Sequence, residues 1–221
     1  MNADLTGVDI WLFDLDNTLY PPEAELMSLI ADRMTHFVAR ETGLARDEAF
    51  ILQKKYLHEH GTTLAGLMAN HGVNPETFLD EVHDVSMAGL LPDPDLRDAI
   101  AALPGRRLVF TNGDKRHADR VLAKLKLDDL FEDIFHIALA DYIPKPHPQT
   151  FARMILAHDV EPTRAAFFED SPRNLKPAFD LGMTTVLVGP EALQSDDAFV
   201  HHRTDNLAAF LKAARIQETR P

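Results

Sequence analysis

The chain has 221 residues, 45% of them hydrophobic and 13 of them Phe, which is enough to bury a substantial core and excludes a disordered chain. Its 22 basic residues are outnumbered by 35 acidic ones, a net charge of −13, which argues against a general nucleic-acid or membrane-surface binder but leaves room for a small phosphorylated ligand held by local positive groups. No cysteine is present, which removes disulfides, thiolate metal sites and cysteine nucleophiles.

The N-terminal residues Met-Asn-Ala-Asp-Leu-Thr-Gly lack the basic and apolar regions of a signal peptide. No segment approaches the roughly 18 apolar residues of a membrane span. The expectation is a soluble, cytoplasmic protein with no nucleic-acid or membrane partner. No feature sets an oligomeric state.

The first predicted element is a strand at Ile10 to Phe13, four apolar residues in a row, as in strands buried on both faces of a parallel sheet. It ends in Asp14, Asp16, Asn17 and Thr18. In an open α/β sheet, ligands bind beyond the carboxyl ends of strands, so these carboxylates stand where chemistry is done. An Asx-type turn accounts for the same residues equally well at this point.

Pro21 and Pro22 then open a helix whose apolar face carries Leu26, Leu29, Ile30, Met34, Phe37 and Val38, and Thr42-Gly43 ends it. A second helix is predicted over 46–58 and a third from Thr63, with a break at His60-Gly61 between them. Asn74-Pro75 starts a fourth, with Phe78, Leu79 and Val82 on its buried face. From 21 to 90 no convincing strand occurs, so this stretch is predicted to be an all-helical insertion.

After Leu91-Pro92-Asp93-Pro94 helices alternate with short apolar runs. Strands are predicted at 108–110, 134–138, 165–168 and 184–188, with helices between them and a terminal helix around Leu207, Phe210 and Leu211. Five strands alternating with helices make an α/β, doubly wound parallel sheet of Rossmann-like type. The core is then residues 1–20 and 91–221, and residues 21–90 form a helical cap domain inserted after the first strand.

Three of the strands end in polar clusters: Asp14 and Asp16, then Thr111, Asn112 and Gly113, then Glu169 and Asp170. Lys145 lies in a Pro-rich loop between the last two. Parallel strands share one carboxyl edge, so these clusters can meet in one crevice. Four carboxylates there repel one another, and one lysine is too little compensation. A hard divalent cation with oxygen ligands, Mg²⁺ above all, is the natural remainder.

The motifs Asp14-Leu15-Asp16-Asn17-Thr18, Thr111-Asn112-Gly113, Lys145-Pro146 and Glu169-Asp170-Ser171, in that order, resemble those of the haloacid dehalogenase superfamily. The resemblance covers nearly all of residues 9–188, and the helical insertion looks like that superfamily's small cap. It implies Asp14 as the nucleophile forming an aspartyl-phosphate. It implies Asp16 as general acid and then base. It further implies a phosphate pocket made by Thr111, Asn112, Gly113, Asn17 and Thr18, with Lys145 bridging nucleophile and phosphate. The metal would be held by Asp14, the backbone carbonyl of Asp16, and Asp170. Many relatives carry two aspartates in the fourth motif. Here Glu169 precedes Asp170, and Glu169 is expected to act through a bound water.

The cap residues Lys55-Tyr56 and His60 to Leu67, together with Leu19-Tyr20-Pro21 and Thr111 to Lys115, look like the pyrimidine 5′-nucleotidase branch. That implies a small phosphorylated substrate, a uridine or cytidine monophosphate, hydrolysed to nucleoside and phosphate. Tyr56 would stack on a base while Thr62 and Thr63 bond its edge or the ribose. A bland account stays open beside it, in which Gly61 breaks a helix, the threonines cap the next one and Tyr56 is core. A phosphatase or phosphomutase acting on a small sugar phosphate is the alternative activity, and a non-catalytic binding module the alternative class. The histidines of the cap, including His58, His60, His71 and His83, are assigned surface or capping roles. His201-His202 and Ser195-Asp196-Asp197 are read as polar loops.

Overall fold

A computed structural model describes residues 3–216. Strand β1, Ile10–Phe13, is buried along its whole length. It runs parallel to β2, Arg106–Phe110, on one side and to β4, Ala165–Glu169, on the other. Strand β3, Asp133–Phe135, extends the sheet beyond β2. Strands β5, Thr184–Val188, and β6, His202–Thr204, extend it beyond β4. The order is β3-β2-β1-β4-β5-β6, and every pairing is parallel.

The sixth strand corrects the expected five. His202-Arg203-Thr204 is short and polar, without the apolar run by which the other strands are recognised. The two histidines are correspondingly not loop residues without partners. His202 belongs to β6, and His201 Nδ1 accepts the backbone N–H of Thr185 at 3.1 Å. The third predicted strand is also shorter, because the chain turns at Ile137–Ala140 into a single 3₁₀ turn.

Successive side chains of β1 point to opposite faces, so each face has its own core. Trp11 and Phe13 pack with Phe168, whose ring is stacked on Phe13 with centroids 4.7 Å apart. Ile10 and Leu12 pack on the other face with Phe110, Phe151 and Phe167. Each of these buried side chains contributes about 1.5–3 kcal/mol relative to exposure, which fixes the register of the central strands. That register matters for the site. Phe13 is level with Val109 and with Phe168. All three strands therefore end within one or two residues of this level, at one edge of the sheet.

Helices α1, Leu26–Thr42, α2, Arg46–His60, α3, Thr63–His71, and α4, Pro75–Val82, follow β1 and pack on one another. Phe37 of α1 meets Phe78 of α4 edge to face at 4.9 Å. Gly66 lets α3 lie directly on α2, since a Cβ there would fall 2.3 Å from Tyr56 Cγ. The remaining helices are α5, Pro94–Ala101, α6, Lys115–Leu125, α7, Pro148–His158, α8, Pro172–Asp180, and α9, Leu207–Ala213. No helix among the described residues is long and apolar enough to cross a membrane.

Candidate active site

The carboxyl edge of β1, β2 and β4 gathers the predicted polar groups. Asp14 is 7% exposed and is held by its backbone N–H, which donates to Phe168 O at 2.9 Å. Beyond it the chain turns through Asn17, whose φ of 60° lies in the left-handed region that Asn tolerates better than most residues. Asn17 Nδ2 reaches Asp170 Oδ2 at 3.5 Å, and Thr18 Oγ1 lies 3.5 Å from Asp14 Oδ2. Thr111, buried at the end of β2, accepts the backbone N–H of Gly113 on its hydroxyl at 2.9 Å.

Lys145 is the one buried ammonium among the described residues, 1% exposed. Its three donors are all used, on Asp14 Oδ1 at 2.8 Å, Glu169 Oε2 at 2.8 Å and Phe110 O at 2.7 Å. Asn112 sets the backbone of this lysine. Its Oδ1 accepts Lys145 N–H at 2.8 Å and its Nδ2 donates to Lys145 O at 3.2 Å. The Lys145-Pro146 bond is cis.

One lysine does not balance the carboxylates around it. Burial pushes Asp14 up to about 7, and the nearby Glu169 charge adds to that against the pull of Lys145. Burial likewise raises Glu169 to about 7, with Lys145 opposing and Asp170 reinforcing. Asp170 is raised as well, chiefly by burial. Oxygens of Asp14, Glu169 and Asp170 lie within 4.8 Å of one another. An all-oxygen donor set with excess buried negative charge fits a hard divalent cation. Hydrogen bonds already engage both Glu169 oxygens, Oε2 with Lys145 and Oε1 with the N–H of Ser171 at 3.1 Å.

Asp16 sits in a different environment. Burial opposes its ionisation, but the charge and hydrogen bond of His117, with the Tyr20 hydroxyl, outweigh it and hold the carboxyl below its ordinary value. His117 Nε2 is 2.8 Å from Asp16 Oδ1, and Tyr20 donates to the same oxygen at 2.6 Å. Sequence reasoning missed His117 and Tyr20 as functional groups. It assigned His83 a surface or capping role; the residue does end α4, but its ring is buried and stacked on His117 with centroids 4.2 Å apart. No local pattern points to His117 or Tyr20: the Asp16–Tyr20 contact is made across a turn rather than along a helix, and His117 lies 101 residues away.

The cap residues are placed differently from the strand-end group. Tyr56 is buried against Gly66, and its hydroxyl pairs with His71 Nε2 at 2.7 Å. Thr62 caps α3 by accepting the N–H of Ala65 at 3.1 Å, and Thr63 is buried in its first turn. None of the three hydrogen-bonds a strand-end residue. The turn they flank does reach the edge. A Cβ on Gly61 would meet Pro144 Cγ at 3.1 Å and Lys145 O at 3.6 Å. Arg173 of α8 donates to Leu57 O at 3.3 Å and to Gly61 O at 3.0 Å, tying the end of α2 to the sheet core.

Comparison with known proteins bears on the family and the fold. Over 195 residues the chain is 29% identical to Phosphate metabolism protein 8 of Saccharomyces cerevisiae, covering 80% of this chain and 60% of that protein. Over 122 residues it is 30% identical to Bifunctional epoxide hydrolase 2 of Rattus norvegicus, covering 52% of this chain and 22% of that one. The chain thus spans less than two thirds of either relative. In fold it is similar to a HAD phosphatase from Thermococcus onnurineus, with a TM-score of 0.64 and 21% identity over 94% of this chain and 100% of that one. A dehalogenase with an intermediate complex is alike in fold too, with a TM-score of 0.60 at 14% identity over 95% of this chain and 98% of that one. The model of the haloacid dehalogenase-like hydrolases matches residues 8–182, and the chain belongs to that family.

Proposed function

We propose that the protein is a Mg²⁺-dependent phosphomonoesterase that works through an aspartyl-phosphate on Asp14. The observation that carries this reading is the meeting of Asp14, Thr111, Lys145 and Asp170 at one sheet edge, with Lys145 bonded to the nucleophile. Asp14 Oδ1 is occupied by the lysine, which leaves Oδ2 to attack phosphorus. In-line attack on the monoester forms the Asp14–phosphorus bond and breaks the bond to the leaving oxygen, which keeps the electron pair. Asp16 gives that oxygen a proton. The dianionic phosphoryl group opposes the His117 charge beside Asp16 and so raises its proton affinity when substrate is bound. Asp16 then takes a proton from the water that hydrolyses the aspartyl-phosphate.

Thr111 and the backbone N–H groups following Asp14 would bind the phosphoryl oxygens. Asp14, Asp170 and the carbonyl of Asp16 would hold Mg²⁺, with Glu169 acting indirectly because its oxygens are already bonded. When bound, the cation supplies charge neutralisation at the phosphoryl oxygens. Phosphate-monoester hydrolysis asks for acceleration of up to about 10²¹-fold, roughly 28 kcal/mol at about 1.36 kcal/mol per decade. Acid–base help gives only about 10²–10⁴-fold, so positioning and charge at this edge carry the larger share.

The helical unit of residues 21–90 serves as the cap, and the substrate read for it is a pyrimidine nucleoside 5′-monophosphate. Support for this comes from the cap residues' resemblance to that branch and from the Gly61 turn lying against the Pro144-Lys145 loop. Because Tyr56 and Thr62 are committed to packing and capping, His60 and the Gly61 backbone are the better-placed groups of this turn to meet the nucleoside. The test is phosphate release over nucleotides and sugar phosphates, with Mg²⁺ and with EDTA. Uridine and cytidine monophosphates should lead, and EDTA should abolish release. A strong response to a sugar phosphate beside a flat response to both nucleotides would refute the substrate, while leaving the chemistry intact.

A further inference from the structure

His117 is wholly buried beside the edge, yet no motif of the core assigns it a task. It stands in the first turn of α6, where Asp114 Oδ1 accepts its backbone N–H at 2.7 Å. Its Nε2 and the Tyr20 hydroxyl both point at Asp16 Oδ1, at 2.8 and 2.6 Å. An ionised Asp16 only accepts, so both partners donate, and His117 carries a proton on Nε2. His117 Nδ1 has no partner among the described residues, so the ring spends all its hydrogen bonding on Asp16.

Two donors on Oδ1 leave Oδ2 as the working oxygen. A Cβ built on Gly113 would lie 3.7 Å from Asp16 Oδ2 and 3.3 Å from Thr111 Oγ1, so Oδ2 faces the turn read above as the phosphoryl pocket. The imidazole is backed from the helical unit. His83, which ends α4, lies over it nearly parallel, with 15° between the planes. His83 is fixed in turn by its Nδ1 contact with Asp114 Oδ2 at 2.5 Å, and its carbonyl accepts from Arg120 at 3.0 Å.

We infer that His117, with Tyr20 beside it and His83 behind it, is a positioning residue that grips Asp16 by Oδ1 and presents Oδ2 to the leaving oxygen. The inference rests on the reading of Asp16 as the acid. In the step it serves, the Oδ2–H bond breaks as an O–H bond forms on the leaving oxygen, which retains the electron pair of the broken P–O bond. Because His83 belongs to the helical unit, the seating of that unit and the aim of the acid are mechanically linked.

The test compares kcat/KM for phenyl phosphate with that for p-nitrophenyl phosphate, whose leaving group hardly needs a proton. The ratio of the two does not depend on the fraction of correctly folded enzyme, so a partly destabilised variant remains informative. Asp16→Asn calibrates the assay and should lower the ratio about tenfold or more. His117→Ala and Tyr20→Phe should each lower it about fivefold or more, and His117→Gln, which restores a donor, should recover most of it. If Asp16→Asn lowers the ratio and neither His117→Ala nor Tyr20→Phe does, His117 is merely structural and the inference fails while the acid assignment stands. If Asp16→Asn itself leaves the ratio unchanged, the acid assignment fails first.

Discussion

Replacing Lys145 by Met keeps most of the length of the side chain and removes the one buried ammonium among the described residues. Its ammonium satisfies Asp14, Glu169 and the carbonyl of Phe110, all within 2.7–2.8 Å. Taking one partner from a buried ion pair costs about 3–5 kcal/mol, because the other charges remain buried without compensation. At a urea slope of about 2 kcal/mol per molar, Lys145→Met should bring the unfolding midpoint down by roughly 1.5–2.5 M in EDTA. Added Mg²⁺ should return part of that loss, since a cation among Asp14, Glu169 and Asp170 relieves the same repulsion. The assay is equilibrium urea unfolding followed by fluorescence of the single Trp, Trp11, which packs near Phe168 of β4. A midpoint within a few tenths of a molar of the wild type would refute the claim that Lys145 offsets the carboxylates.

Three further predictions follow from other parts of the molecule. Gly66→Ala drives a methyl into Tyr56, and after about 1 kcal/mol of gained helix propensity it should still destabilise by about 2 kcal/mol, read as a lower melting temperature. Asn112→Ala removes both bonds that clamp the Lys145 backbone; it should cost about 1–3 kcal/mol in unfolding free energy and slow phosphate release. Asp114 is partly buried; burial raises its pKa, but the bond and charge of His83 outweigh that and hold it down at about 2. A depressed carboxyl stabilises the fold above its ordinary value near 4, and that contribution disappears as the pH falls toward 2. After allowance for solvent screening it is worth about 1–2 kcal/mol. Asp114→Asn keeps the helix cap but should lose this margin, so the two proteins should differ in stability at pH 6 and converge near pH 2.

The sequence made the strand-end groups legible because each follows an apolar run that only a buried strand explains. Ile10 to Phe13, Leu108 to Phe110 and Ala165 to Phe168 place Asp14, Thr111 and Asp170 at one edge through their register alone. Strand β6 escaped notice because His202-Arg203-Thr204 carries no such run and is held by pairing with β5. The environment of Asp16 escaped for a different reason. His117 is 101 residues away, and His83 arrives from the helical unit, so their convergence is a property of packing rather than of local pattern. In the cap, the sequence leaves two readings of Tyr56 open, a base-stacking residue or a core residue. Tyr56 has the composition of a base-stacking residue, but the glycine ten positions on admits it into the contact between α2 and α3.

The central claim is that Asp14 itself carries the phosphoryl group. It is tested most directly by quenching the Mg²⁺-loaded enzyme with acid during turnover of p-nitrophenyl phosphate and weighing the peptide that contains Asp14. The account predicts an acid-stable, hydroxylamine-labile phosphoryl group on that peptide, absent from Asp14→Asn. Turnover at the wild-type rate by Asp14→Asn, or a phosphoryl group found on any other residue, would contradict it.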